Sequence, residues 1–380
     1  MTSSPFLALP QAVEAAGIDA QIAAHYGNPV AEQRAIVKGA IVDLSNRGVI
    51  SVSGPDRLSW LNSLMSQSFI GLAPGVSTEA LLLGANGRLE FSAKVLDDGE
   101  TTWLLLEAQE LPGLLAWLLK MRFMLRVEVT DRSAEFATFG SLGAETAILD
   151  SFAAAPAGLP LVWRDPWAEI SPGGVQYAAV EVHPGADYLW RETLVPRSDL
   201  PALLERVKQG EAVVAGFLAA EALRIAAWRP RLSTEGDEKS IPHELDWMRS
   251  AVHLSKGCYR GQETVAKVHN LGHPPRRLVF LHLDGTDNVL PAPGDEVILP
   301  RTQEGDEDAV LGLVTSSANH YELGPIALAV IRRQAPVDAE LAVRSEGTTV
   351  SAAQEVVVPP DAGSVVGRIR GLPRLGVKRR

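Results

Sequence analysis

Residues 47–53, RGVISVS, alternate apolar and polar side chains with the period of two that a strand requires. The next stretch, GPDRLSWLNSLMSQ, switches to a helical period, with Leu58, Leu61, Leu64 and Met65 on one side and Ser53, Pro55 and Asp56 as start signals. Two apolar runs then flank Asn86-Gly87, which predicts a tight hairpin, and Asp98-Gly99 predicts a second one leading into the strand TTWLLLE. A helix over ELPGLLAWLLKMRF and a strand in LRVEVTD complete the order β-α-β-β-β-α-β. That order is a split βαβ, ferredoxin-like unit with one extra strand, an antiparallel sheet covered by helices.

Further on, EFATFG, VQYAAVEV and DYLWRETLVP read as strands, and DLPALLERVKQ and EAVVAGFLAAEALRIAAW as helices, giving a second α+β unit. Residues 229–253 mix Pro, Gly and charge with little periodicity, and a loop of that length is a functional candidate. From Arg276 the pattern becomes five or six short strands with Gly and Pro punctuation and no obvious helix, which predicts a small barrel or sandwich. The chain is therefore expected to be α+β, with a lead segment at 1–40, a ferredoxin-like unit at 41–133, a second unit at 134–275, a barrel at 276–358 and a tail at 359–380. Pro274-Pro275 supplies the hinge chemistry before the barrel.

Composition narrows the function. The 380 residues are 46% hydrophobic and 21% charged, as in an ordinary globular protein with more than one core. The net charge of −11 argues against duplex nucleic acid as the main partner. Charge is uneven: the last 13 residues hold six basic and no acidic side chains, and the remaining 29 basic against 46 acidic residues leave the body at −17. A solvated tail is the plain reading, and a docking arm for an anionic partner the alternative. The first basic residue is Arg34, so no basic leader precedes it, and no apolar run reaches membrane-spanning length. A single cysteine excludes an internal disulfide and a multi-thiolate metal centre, and fits a reducing, cytoplasmic setting. No resident metal is expected.

That cysteine sits in LSKGCYRGQETVAKVHNLGHPP, residues 254–275. Lys256 and Arg260 flank Cys258 with cations that favour a thiolate, and a helix starting near Gln262 adds positive potential and free N–H groups. Gly257 and Gly261 permit positive φ or close backbone approach. Glu263 is spaced to pair with Lys267, and Gly272 falls at the C′ position. A lone cysteine is also commonly a small buried hydrophobe, and the residues alone leave reagent and filler open. The stretch lacks a P-loop ending. His269 and His273 are separated by a helix break and so do not form a metal pair, and His243 and Glu244 lack the second histidine of a zinc hydrolase.

KGCYRGQETVAK resembles the K-G-C-[FY]-x-G-Q-E signature of the folate-binding YgfZ family, relatives of the glycine-cleavage T-protein that include a mitochondrial iron–sulfur assembly factor. LSNRGVISVSGPDRLSWLNSLMSQ and EALRIAAWRPRLSTEGDEKSIPHELDW are similar to the family's opening strand and helix and to the segment before the signature. The resemblance covers roughly residues 40–355. It implies a T-protein-like fold, with ferredoxin-like units and a C-terminal barrel around a central cavity for tetrahydrofolate. It makes Lys256, Gly257, Cys258, Tyr259, Gly261, Gln262 and Glu263 the signature residues, Cys258 the functional thiol with Lys256 beside it, and Arg224 a residue near the folate. The family's Glu-Ala-Gly after that arginine is here Ala226, Ala227 and Trp228.

T-protein enzymes carry an Asp-Asp pair on the strand after the early hairpin, where Glu90 and Phe91 stand in this chain, and YgfZ-like proteins lack it too. A shifted alignment makes Glu90 the survivor. The carboxylate that would hold the pterin's amidine edge is Asp187 or Glu192. Arg224, Arg229, Arg231, Lys256, Arg260, Arg276 and Arg277 are cations available to a glutamate tail. The resemblance thus implies a tetrahydrofolate-binding accessory protein for iron–sulfur cluster assembly or repair and cluster-dependent tRNA modification, with iron–sulfur proteins as partners. The alternative is a folate-dependent aminomethyl- or methyltransferase.

Overall fold

The computed structural model describes residues 3–143, 146–286, 288–300 and 308–366, so the six basic residues from Arg368 onward lie outside the described residues. Two five-stranded sheets and a closed six-stranded barrel share one large apolar core.

The first sheet runs Ser77–Leu83, Leu89–Asp97, Thr101–Leu106, Gly48–Ser53, Glu128–Asp131, antiparallel throughout. Alternation sorts its side chains to two faces. Ile50, Val52, Leu82, Val95 and Leu104 pack under the helices Arg57–Leu64 and Leu111–Met121. Val49, Leu81, Leu83, Leu96 and Leu105 face the central core. Both faces are buried, which is why residues 80–83, ALLL, form a continuous apolar run. The β-α-β-β-β-α-β order is as expected, with Gly87 (φ 75°) and Gly99 (φ 98°) at the two hairpins.

The second sheet runs Val162–Arg164, Trp190–Pro196, Phe136–Leu142, Ile41–Asp43, Val214–Ala215, parallel only at the last pair. Its outer face is covered by Leu200–Lys208, Ala147–Phe152 and the turn Pro5–Ala8 around Phe139 and Leu149. Its inner face gives Trp163, Trp190 and Leu194 to the central core. One predicted strand is absent. Residues 175–182 alternate like a strand, yet their polar groups go elsewhere: the Val175 N–H donates to the Met248 carbonyl at 3.0 Å and the Tyr177 N–H to Asp246 Oδ1 at 2.7 Å. They form an extended strap over the segment 246–248.

The barrel closes in the order Arg276–Leu283, Gly324–Arg332, Ala309–His320, Glu296–Leu299, Leu341–Ser345, Thr348–Val356. Val279 and Leu281 point into its interior, while Leu278 and Phe280 cover the central core. The aperiodic stretch 229–253 is an ordered connector with a helical turn, Leu232–Glu235, two 3₁₀ turns, Pro242–Leu245 and Trp247–Arg249, and unbroken burial from 240 to 252. Among the described residues, no helix is long and apolar enough to cross a membrane.

Candidate functional site

A cavity of about 80 Å³ opens between the inner faces of the two sheets and the helix Phe217–Ala226. Four aromatic side chains line it: Tyr188 and Trp190 stack with centroids 6.0 Å apart and planes 4° from parallel, and Phe217 and Trp247 join them, with Leu44 and Leu232 among the aliphatic residues. The period-two rule explains which polar residues reach it. Ser92 and Lys94 share the inner face with Leu96, Glu79 shares it with Leu81, and Glu192 lies between Trp190 and Leu194.

The polar lining is a neutralised network. Arg224 donates to both oxygens of Glu221 at 2.9 Å, to Glu235 at 2.9 Å and to the Arg229 carbonyl at 2.6 Å, committing four of its five N–H groups. Arg229 joins Glu79 (2.7 Å) to Asp165 (3.0 Å), and Arg231 joins Asp19 (2.6 Å) to Glu107 (2.5 Å), which also meets Arg47. Burial alone would raise the Glu107 carboxyl, but Arg231 and Arg47 bring it down to about 2, so it stays ionised. Burial works equally against Arg224 and Arg229, and their carboxylate partners hold both firmly protonated. Burial raises the carboxyl of Asp165 despite Arg229.

Glu235 is the hub of this network. It holds Arg224, accepts the Arg231 N–H at 2.7 Å, and takes the hydroxyls of Thr315 (3.2 Å) and Ser316 (2.5 Å) from the barrel. The run of cations expected to serve a glutamate tail is therefore committed elsewhere. Arg229 and Arg231 are locked as described, Arg276 holds Asp237 and Glu244, and Arg277 is buried against the Ala335 carbonyl. Lys94 is the partly exposed cation of the lining; it bonds Glu192 and lies 5.2 Å from the Trp163 ring.

Of the residues singled out in the sequence, Arg224, Arg229, Arg231 and Glu192 line the cavity, and Lys256, Gly257, Cys258, Tyr259, Gly261, Gln262 and Glu263 do not. Asp187 is exposed on the turn Pro184–Asp187, so the choice between the two carboxylates favours Glu192 as a cavity group. Phe91 packs into the helix-covered core, whereas Glu90 shares the face of Ser92 and Lys94 and pairs at the surface with Arg260 at 2.8 Å. No adjacent carboxylate pair on this strand faces the cavity. Glu79, Lys94, Glu107 and Asp165 were missed. A signal existed for the first two: each is a lone charge inside an apolar strand run, STEALLL and FSAKVL.

The cysteine turn is bolted to the first sheet's edge. The Lys256 ammonium donates to the carbonyls of Asn62 (2.6 Å), Met65 (2.5 Å) and Gln67 (2.7 Å), where the helix Arg57–Leu64 ends. Burial lowers it to about 8, and three carbonyls keep it charged at neutral pH. This lysine serves backbone carbonyls, and Arg260 serves Glu90, so neither flanking cation is held for the thiol. Gln262 Oε1 accepts the Tyr259 N–H at 3.0 Å, and Gly261 starts the helix Gln262–Leu271 at φ 84°. Gly257 and Cys258 are exposed, which rules out the buried-hydrophobe reading of the thiol. Lys256, Tyr259, Gln262 and Glu263 border a separate surface depression of about 260 Å³. The helix ends at Gly272 with extended backbone (φ −123°), not a left-handed cap, and Glu263 makes no ion pair with Lys267. His269 bonds the Tyr177 hydroxyl and His273 the Ala362 carbonyl.

Two inner sheet faces around a cavity, with a barrel closing one side, define the aminomethyltransferase T fold. The glycine cleavage system aminomethyltransferase T from Bartonella henselae superposes with a TM-score of 0.70 over 92% of this chain and 94% of that one, at 17% identity. No family model matches. The sequence is 26% identical over 266 residues to the iron–sulfur cluster assembly factor IBA57 homolog, mitochondrial, of Mycosarcoma maydis, covering 65% of this chain and 58% of that relative. It is 25% identical over 268 residues to the tRNA-modifying protein YgfZ of Klebsiella pneumoniae (68% and 76%), and 26% over 264 to an aminomethyltransferase of Rubrobacter xylanophilus (68% and 69%). The chain is thus similar in sequence to IBA57, YgfZ and aminomethyltransferase proteins, and its fold is that of the aminomethyltransferase T.

Proposed function

We propose that the chain binds tetrahydrofolate in the central cavity and acts, through Cys258 on its surface, as a cytoplasmic accessory protein for iron–sulfur cluster assembly or repair, with cluster-dependent tRNA modification among the dependent processes. The observation that carries this reading is the cavity itself. A flat pterin requires aromatic walls and a few fixed polar groups. The stacked Tyr188 and Trp190, the buried Glu192 and a Glu79 oxygen without a partner meet that description. When bound, the folate would supply a one-carbon carrier, while the protein orients its ring and excludes water.

The aminomethyltransferase reading has the fold and the Rubrobacter relative in its favour. Against it stands the strand's contribution to the cavity, Ser92 and Lys94, with Glu90 at the surface on Arg260, in which proton handling by a carboxylate pair has no counterpart. Titration with tetrahydrofolate, read by the fluorescence of the wall tryptophans, should show saturable binding. Cells lacking the protein should lose iron–sulfur enzyme activity and recover it with wild type but not with Cys258→Ala. Full rescue by the alanine variant refutes the thiol role, and aminomethyl transfer from a loaded carrier establishes the alternative.

A further inference from the structure

We propose that the outer face of the helix Leu111–Met121, with the turn that follows it, is a contact site for an anionic lipid bilayer, on which the protein rests peripherally without spanning it. A surface helix ordinarily turns apolar residues to the core and charges to water. This one is apolar on both sides. Leu111, Leu114 and Leu118 are buried under the first sheet, while Pro112, Gly113, Ala116 and Leu119 are exposed, and Lys120 is its one charge.

The apolar face runs on into the turn. Phe123 is 77% and Met124 97% exposed, and Leu125 is exposed beside them. Phe123 follows the helix cap Arg122, at the position where glycine is usual, and takes the left-handed conformation that glycine would (φ 46°). For a bulky aromatic that conformation is costly. Stability alone would be better served by glycine there, yet the chain bears the strain and shows a benzyl ring to solvent.

Charge complements the patch. From Leu111 to Val127 the sequence holds Lys120, Arg122 and Arg126 and no acidic residue, in a chain whose net charge is −11. Arg126 is taken by Asp56 at 2.7 Å, whereas Lys120 and Arg122 are exposed and have no ion-pair partner among the described residues. An apolar tip beside unpaired cations suits a bilayer interface: the apolar side chains enter the boundary between headgroups and acyl chains, and the cations meet the lipid phosphates. A second copy of this chain would bring like cations together across the contact. A bilayer closes round Met124 from every side with no shape to match.

This placement leaves the other end of the molecule free. The turn adjoins Gly54, at the end of the first sheet where Ser53 pairs with Glu128. The cysteine turn docks at the opposite end, on Leu83, Gly84 and Gly87, one strand's length or roughly 20 Å away. A protein seated on lipid by its apolar turn therefore keeps Cys258 on the aqueous side.

The test is sedimentation of the full chain with vesicles of phosphatidylcholine alone and of phosphatidylcholine with about 30% phosphatidylglycerol. The anionic vesicles should carry down at least about fivefold more protein, and about 0.5 M salt should remove most of that difference. Phe123→Gly combined with Met124→Ser should weaken binding to the anionic vesicles at least about tenfold. Glycine relieves the left-handed strain, so this variant should have a urea midpoint no lower than wild type. Lys120→Gln combined with Arg122→Gln should abolish the preference for anionic vesicles. Wild type left in the supernatant with both vesicles overturns the proposal and leaves the patch to a protein partner with an acidic rim. Equal sedimentation of wild type with the two vesicles overturns it as well, as does unchanged binding by the folded Phe123→Gly, Met124→Ser variant. The wild-type comparison decides even if a variant fails to fold.

Discussion

Two glycines flank the cysteine turn, and the structure gives them different duties that a pair of alanine substitutions will separate. At Gly261 the backbone is left-handed (φ 84°), and an added Cβ would lie 2.6 Å from the Gly84 carbonyl oxygen and 3.0 Å from Leu83 Cβ. The obstacle is backbone of the early hairpin, which cannot rotate away. The left-handed conformation costs a non-glycine residue about 1–2 kcal/mol. Overpacking adds about 1–3 kcal/mol, and reduced freedom of the unfolded chain returns about 0.4–1 kcal/mol. Gly261→Ala should therefore destabilise by about 1–5 kcal/mol, the sum of those terms. At Gly257 no atom lies within 4 Å of the added Cβ and φ is not positive, so Gly257→Ala should stay within about 0.5 kcal/mol of wild type. Urea denaturation of both variants at one pH measures the difference. A Gly261→Ala penalty under about 1 kcal/mol, less than the conformational cost alone, would refute the docking of this turn against the hairpin.

Lys256→Met strips three carbonyls of their charged donor, and a loss of at least about 1.5–3 kcal/mol is expected by urea denaturation. Iodoacetamide should label Cys258 at nearly the wild-type rate in that variant; a large drop would place the ammonium at the thiol instead. Glu235→Gln breaks a fully buried pair with Arg224 and should cost about 3–5 kcal/mol, a value under 1 arguing that the hub is redundant. Burial pushes the Asp246 carboxyl up to about 7, against the Tyr177 N–H and Arg249. The folded chain then holds a proton that the unfolded chain releases near pH 4, so this group's contribution to stability falls as pH climbs from about 4 to about 7. Asp246→Asn should remove that slope and be more stable than wild type at pH 8 by at least about 1 kcal/mol. Equal urea midpoints at pH 8 would contradict it.

Sequence pattern was enough for the first sheet and the barrel because their strands are long, amphipathic or punctuated by Gly and Pro at true turns. It failed at 175–182, where alternation is real but the partner is a connector, not a strand, and period alone cannot name the partner. The helix start at Gln262 was legible from Gly261 and Glu263. Its surroundings were not, since Gly84, Asn62 and Gln67 lie nearly two hundred residues earlier. The cavity was the least legible part. Its charges come from stretches scattered between Arg47 and Arg231, and an arginine such as Arg229 looks like any surface cation until Glu79 and Asp165 are found beside it.

The strand Arg276–Leu283 turns one set of side chains into the barrel and the other onto the central core. A barrel with a complete interior of its own invites excision as a module. Cutting before residue 276 would nonetheless strip Leu278, Phe280, Ile326 and Leu328 from the core they roof, and leave Glu235 without its two barrel hydroxyls. The remaining two-sheet body would be a vessel with one wall missing, prone to self-association through that opening, and swapping this barrel for a relative's would succeed only if the outer face, not the interior, were matched.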